Sequence, residues 1–91
     1  MKWQLTYTRT AVKHLKSLDQ KSAQRIVKKL AFFITQKNPL VYAKKLTHPA
    51  YGEYRFRIGD YRVLFDVNNK GTVKILLILS IKHRSDMYKS L

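Results

Sequence analysis

The stretch Tyr54-Arg55-Phe56-Arg57-Ile58-Gly59-Asp60-Tyr61-Arg62-Val63-Leu64-Phe65-Asp66-Val67 decides the fold, because apolar and polar residues alternate on both sides of a Gly-Asp pair. Alternation with a period of two marks a half-buried strand, and a two-residue break opening on glycine marks a tight hairpin. Closing the turn at Gly59-Asp60 sets Ile58 opposite Tyr61, Arg57 opposite Arg62, Phe56 opposite Val63, Arg55 opposite Leu64 and Tyr54 opposite Phe65. One face of the hairpin is then apolar and the other carries arginines. Like charges facing each other across an antiparallel pair destabilise it by an amount comparable to the roughly 0.2–1 kcal/mol of a favourable pair. A local folding rule broken in this way marks a site that binds an anion.

Working outward, Trp3, Leu5 and Tyr7 alternate with Lys2, Gln4 and Thr6 and predict a first strand. Thr8 or Thr10 then caps a helix with Ala11, Leu15 and Leu18 on its inner side. Asp19 is the N-cap of a second helix, whose apolar positions Ala23, Ile26, Val27, Leu30, Phe33 and Ile34 recur at steps of three and four. Asn38-Pro39 ends it, since proline disfavours helical geometry in the residue before it. Residues 44–49 read as a loop. The near-continuous Val/Ile/Leu run over residues 73–81 predicts a strand buried on both faces and central in its sheet. A three-residue loop at Asn69-Lys70-Gly71 pairs Val67 with Val73, Phe65 with Ile75 and Val63 with Leu77, so that Asp66 faces Lys74 and Arg62 faces Ile78. Residues 83–88 are expected to form one or two helical turns. The expectation is a single α+β domain over residues 1–91: a small four-stranded, mostly antiparallel sheet with two N-terminal helices on one face and a short C-terminal helix.

Nineteen Lys and Arg stand against five acids, a net charge of +14 that favours a polyanionic ligand or an acidic partner. Nucleic acid is the first such ligand and an anionic membrane surface the second. Cysteine is absent, which excludes disulfides and thiolate-bound zinc. The first residues carry no secretory signal pattern, and the longest apolar run, residues 75–79, is too short to span a bilayer. A cytoplasmic protein without a membrane partner is expected. Glu53, Asp60 and Asp66 form no cluster suited to magnesium, and no dinucleotide or P-loop motif occurs, so neither metal nor cofactor is expected.

With the helices on the apolar face, the other face exposes Arg55, Arg57 and Arg62, and Lys82 has the parity to join them. Lys82, His83 and Arg84 emerge beside the Gly59-Asp60 end of the hairpin. Converging guanidinium forks suit a phosphodiester, binding its oxygens bidentately and stabilising the charge of a pentacoordinate transition state. Tyr88 offers a ring to stack on a base, and His83 a group that exchanges protons near neutrality. Blander readings stand beside these. Tyr88 can pack on the sheet, Arg55 can bridge diagonally to Asp66, and His14 and His48 read as surface or capping residues. Lys21, Lys28, Lys29 and Lys37 read as a solvated helix face that can also guide RNA.

The hairpin YRFRIGDYRVLFDV, followed after an apolar strand by KHRSDMYK, resembles the RelE/ParE superfamily of toxins from toxin–antitoxin systems. The resemblance spans nearly the whole chain, and the HRSDMY stretch, with a basic residue four positions before an aromatic, is similar to the RelE-like branch. That branch implies a ribosome-dependent endoribonuclease that cuts mRNA in the A site without a metal, through attack of the 2′-hydroxyl on the adjacent phosphate. It implies a cognate antitoxin as partner, with DNA contacted only through that antitoxin. Carried over by position, Arg62 matches the arginine that stabilises the transition state. Arg55 and Arg57 match a basic substrate-binding pair that is often lysine in the family. Lys82 and Arg84 match C-terminal basic positions, and Tyr88 the aromatic that stacks on the base. Arginine at both Arg55 and Arg57 leaves no good base on that strand, which makes His83 the candidate for proton transfer. The other branch implies a non-catalytic inhibitor of DNA gyrase.

Overall fold

The computed structural model describes residues 2–85. The chain runs β1 (Lys2–Tyr7), α1 (Arg9–Ser17), α2 (Gln20–Ile34), β2 (Ala43–Lys45), β3 (Tyr54–Ile58), β4 (Tyr61–Lys70) and β5 (Val73–His83), with short 3-10 turns over Pro39–Tyr42 and Pro49–Tyr51. The sheet has five strands in the order β1-β5-β4-β3-β2, which corrects the expected four. The extra strand is β2, whose three residues pair with Tyr54, Arg55 and Phe56. Three residues are too few to display an alternation, which is why this edge reads as loop from sequence. His83, expected to open a terminal helix, is instead the last residue of β5. The remainder of that expected helix, from Asp86 on, lies outside the described residues.

β5 is an interior strand, parallel to β1 on one side and antiparallel to β4 on the other, while β4 takes the middle place that the apolar run suggested for β5; several β5 residues, Leu77 and Leu79 among them, are only partly buried. Thr8 welds this corner together. Its Oγ accepts from the Ala11 N–H as the α1 cap and donates to the Leu79 carbonyl, while its own N–H donates to the Ile78 carbonyl. Asp19 caps α2 by accepting from the Ser22 N–H at 3.0 Å. Both helices cover one face of the sheet, where Ala11, Ile26, Leu30 and Phe33 meet Trp3, Phe56, Ile58, Val63, Phe65, Leu76, Ile78 and Ile81. Phe56 is the hub, with ring centroids 4.3 Å from Phe65 and 4.5 Å from Phe33. Val27, assigned by periodicity to the inner stripe, is half exposed at its margin.

The β3–β4 hairpin has the predicted register, from Ile58 opposite Tyr61 to Tyr54 opposite Phe65. The β4–β5 hairpin does not. Lys70 pairs with Val73 across a two-residue Gly71-Thr72 turn, and a bulge lies where Leu64 pairs with Ser80 but Phe65 with Ile78. Gly59 and Gly71 both have φ of +60° at the first central position, the Gly-X turn whose twist suits a hairpin. The bulge inserts Leu79 and switches parity, so that Leu76 and Ile78 face the helices below it and Ile81 above it. A nearly unbroken apolar run conceals such a switch.

The other face is covered in part, since Leu64 points away from the helices yet is only 1% exposed. Gly52 comes up against this side of the sheet. At φ +123° it adopts backbone geometry that L-residues rarely take, and a Cβ there would lie 2.9 Å from Leu79 Cδ1. Gly52→Ala is therefore expected to lower stability by about 1–3 kcal/mol, read as a reduced urea midpoint at constant slope.

Candidate functional site

On the face turned away from the helices, Arg57, Arg62 and Lys82 are successive cross-strand partners on β3, β4 and β5. Adjacent strands lie about 4.8 Å apart, so three cations share a row roughly 10 Å long. The register expected from sequence put Ile78 beside Arg62; the position belongs to Lys82. A second row on the same face follows two residue pairs farther from the turn, where Lys44 on β2 faces Arg55. Lys44 was not singled out from sequence, because the strand that carries it is too short to be read there. Arg84 is tied to the same end of the sheet, its N–H donating to the Asp60 carbonyl at 2.7 Å.

Two carboxylates near the second row, Asp66 and Glu53, are engaged by the backbone. Asp66 Oδ1 accepts from the Glu53 N–H, and Glu53 Oε1 accepts in return from the Val67 N–H, both at 2.9 Å. The diagonal bridge considered between Arg55 and Asp66 does not form. Arg62, at the centre of the row, also donates from Nη1 to the Tyr61 carbonyl at 3.3 Å.

His83 does not join this row. It pairs with Tyr61, whose ring packs against the helical side of the core, and the two rings meet edge-on at 5.3 Å. Cross-strand partners share a face, so His83 stands on the opposite side of the sheet from Arg62 and Lys82. Tyr88 lies outside the described residues.

A different histidine sits close to Lys82. Past the end of β1, the edge of β5 is taken over by α1, and His14 Nδ1 accepts the Ile81 N–H at 3.1 Å. Burial, and then the charge of Lys82, hold the His14 imidazole below its ordinary value of 6.5. His14, read from sequence as a surface or capping residue, instead joins α1 to the edge of β5. Elsewhere, burial pushes the Tyr7 hydroxyl up, and the hydrogen bonds from Ser22 hold Asp19 down.

Comparison with known proteins agrees with this architecture. Residues 5–88 match the family described as ParE toxin of type II toxin-antitoxin system, parDE. The chain is similar to Toxin RelG of Mycobacterium tuberculosis (strain ATCC 25618 / H37Rv), 29% identical over 89 residues that cover 98% of this chain and 99% of the relative. Among solved structures it is similar to the toxin-antitoxin complex RelBE2 from Mycobacterium tuberculosis, with 26% identity, a TM-score of 0.63, and coverage of 92% of this chain and 100% of the other. It shares its fold with the RelB-RelE antitoxin-toxin complex from Methanococcus jannaschii, at 24% identity and a TM-score of 0.64 over 93% of this chain and 96% of that one. The family match, the RelG relative and the RelBE2 neighbour together make this a toxin of the RelE/ParE superfamily. Within it, the chain belongs to the ParE toxin family of type II toxin–antitoxin systems.

Two measurements check the electrostatics. Arg57→Gln relieves one like-charge pair and is expected to raise stability by about 0.2–1 kcal/mol at low salt, the gain shrinking as salt screens the row. For His14, the unfolded chain takes up a proton at a higher pH than the folded one. Stability is therefore full above pH 6.5 and declines as pH falls below it toward the depressed folded value. His14→Ala should lower stability at pH 8 and flatten this decline in urea titrations between pH 5 and 7.

Proposed function

We propose that the protein is the toxin of a type II pair and an endoribonuclease that cuts mRNA on the ribosome without a metal. The observation that carries this reading is the row Arg57, Arg62 and Lys82, reinforced by Lys44 and Arg55. Cations held side by side at strand spacing suit one phosphodiester, which acquires additional negative charge as it becomes pentacoordinate. Arg62, at the centre of the row, stabilises that charge. Arg55 and Arg57 grip the flanking strand. Arg84 acts from the turn end, and Tyr88 stacks on the base beside the cut. The 2′-oxygen, losing its proton, bonds to the adjacent phosphorus as the P–O5′ bond breaks, and the departing 5′-oxygen takes up a proton, giving a 2′,3′-cyclic phosphate and a 5′-hydroxyl.

This attack needs proton exchange, for which arginine, always charged, is unsuited. In the row, Lys82 is the side chain able to perform it. His83, behind the sheet, has no part in this step. The antitoxin is an acidic chain that neutralises the row. Both complexes named above support such a partner, since each joins a toxin to its antitoxin. A second reading, inhibition of DNA gyrase, is favoured by the ParE description of the matched family.

Ribosomes programmed with a defined message separate the two. The nuclease reading requires cleavage there and no effect on gyrase supercoiling, and the inhibitor reading the reverse. In the cleavage assay, Arg62→Ala and the charge-preserving Lys82→Arg should each reduce the single-turnover rate by about 10²-fold or more, with folding intact by circular dichroism. A change under threefold in either variant removes that residue from the chemistry.

A further inference from the structure

Behind the Gly59-Asp60 turn, across the sheet from Arg62, lies a pocket of about 160 Å³ that the cleavage reading does not use. Its floor is Ile26 and Ile58, 1% and 3% exposed, and its polar groups are Ser22, Arg25, Asp60, Tyr61 and His83. Arg25 reaches it from α2 by lying directly on the turn. A Cβ at Gly59 would stand 2.8 Å from Arg25 Nη1, which places the guanidinium against the turn. Among the described residues, no hydrogen bond or ion pair engages that guanidinium. His83 is oriented by its neighbour, with Nδ1 accepting the Ser85 N–H and 2.9 Å from Ser85 Oγ. The ring proton accordingly belongs on Nε2, which is left to donate.

Two outward donors, one guanidinium and one imidazole, sit over an apolar floor that strengthens any charged hydrogen bond they make. Asp60 adds a carboxylate that only accepts. A bare anion would be repelled by that carboxylate. A ribose phosphate fits the whole set, with phosphate oxygens for Arg25 and His83 and a 2′-hydroxyl to donate to Asp60. We propose that this pocket holds one ribose-phosphate unit of the RNA strand, outside the scissile linkage, and that Asp60 reads its 2′-hydroxyl. The strand then turns around the Gly59-Asp60 end of the sheet, from the arginine face to the helical face. The proposal rests on the RNA reading above and adds a selection for RNA over DNA, since the 2′-hydroxyl is what separates the two at a given site.

The test measures fluorescence anisotropy of a labelled single-stranded oligoribonucleotide and of its DNA counterpart on the intact protein, beside ribosomal cleavage. The wild-type chain is expected to prefer RNA. Arg25→Gln should weaken RNA binding about tenfold, and Asp60→Ala should erase the preference. Both substitutions fall on exposed residues, so folding is preserved. On ribosomes, Arg25→Gln should raise KM with little change in kcat, and messages carrying single 2′-deoxy positions should reveal a second sensitive position that Asp60→Ala abolishes. Equal binding of RNA and DNA by the wild-type chain overturns the proposal, as does RNA binding indifferent to Arg25. So does an Arg25→Gln chain that keeps RNA but releases an oligoglutamate peptide, which would assign the pocket to an acidic protein. Absence of cleavage by the wild-type chain counts against the nuclease reading alone, because the binding arm does not depend on it.

Discussion

Burial of Phe56 between Phe65 and Phe33 is the constraint on which the rest depends. Side chains alternate along a strand, so once Phe56, Ile58, Val63 and Phe65 are pressed against the helices, Arg55, Arg57 and Arg62 have the opposite face assigned to them. Each fully buried aromatic or branched aliphatic side chain contributes about 1.5–3 kcal/mol, whereas an opposed like-charge pair costs at most about 1. The core therefore wins, and the cations stay in register against their mutual repulsion. The bulge at Leu79 extends this logic to β5. By returning Ile81 to the core it turns Lys82 toward Arg62, and one inserted residue thus completes the row.

The same device explains why the two sides of the turn differ in character. Lys82 and His83 are adjacent in the chain, yet they project from opposite faces with different companions. Lys82 stands among cations on the sheet, and His83 sits with Tyr61 at the end of α2. A row of cations at strand spacing favours the charge and the oxygen fork of a phosphate. A pocket that mixes donors with a carboxylate distinguishes among ligands bearing the same phosphate.

Much of this was legible from residue order. The first hairpin's register, both helix caps as residue types, the interior rather than edge position of the last strand and the arginine face all follow from periodicity and turn chemistry. The second hairpin was misread for a specific reason. Gly71-Thr72 carries the same Gly-X signature as Gly59-Asp60, but the apolar run after it fits either parity and offers no penalty for the wrong one. The error moved Lys82 out of the row and drew His83 toward it. Lys44 escaped notice because a three-residue edge strand takes its conformation from the neighbour it pairs with. The Arg25 pocket has no sequence signal, since its groups come from α2, a turn and β5 and meet only through tertiary packing.

The parallel pairing of β1 with β5 brings Lys2 beside Val73, so the earliest-made strand depends on the latest. Contacts so distant along the chain are slow to form, because the intervening loop must be closed before they give anything back. On the ribosome, α1 and α2 emerge long before the strand that closes their core. The domain thus stays unassembled until β5 has been made, and the two helices wait on that strand for the Leu76, Ile78 and Ile81 side chains of their core.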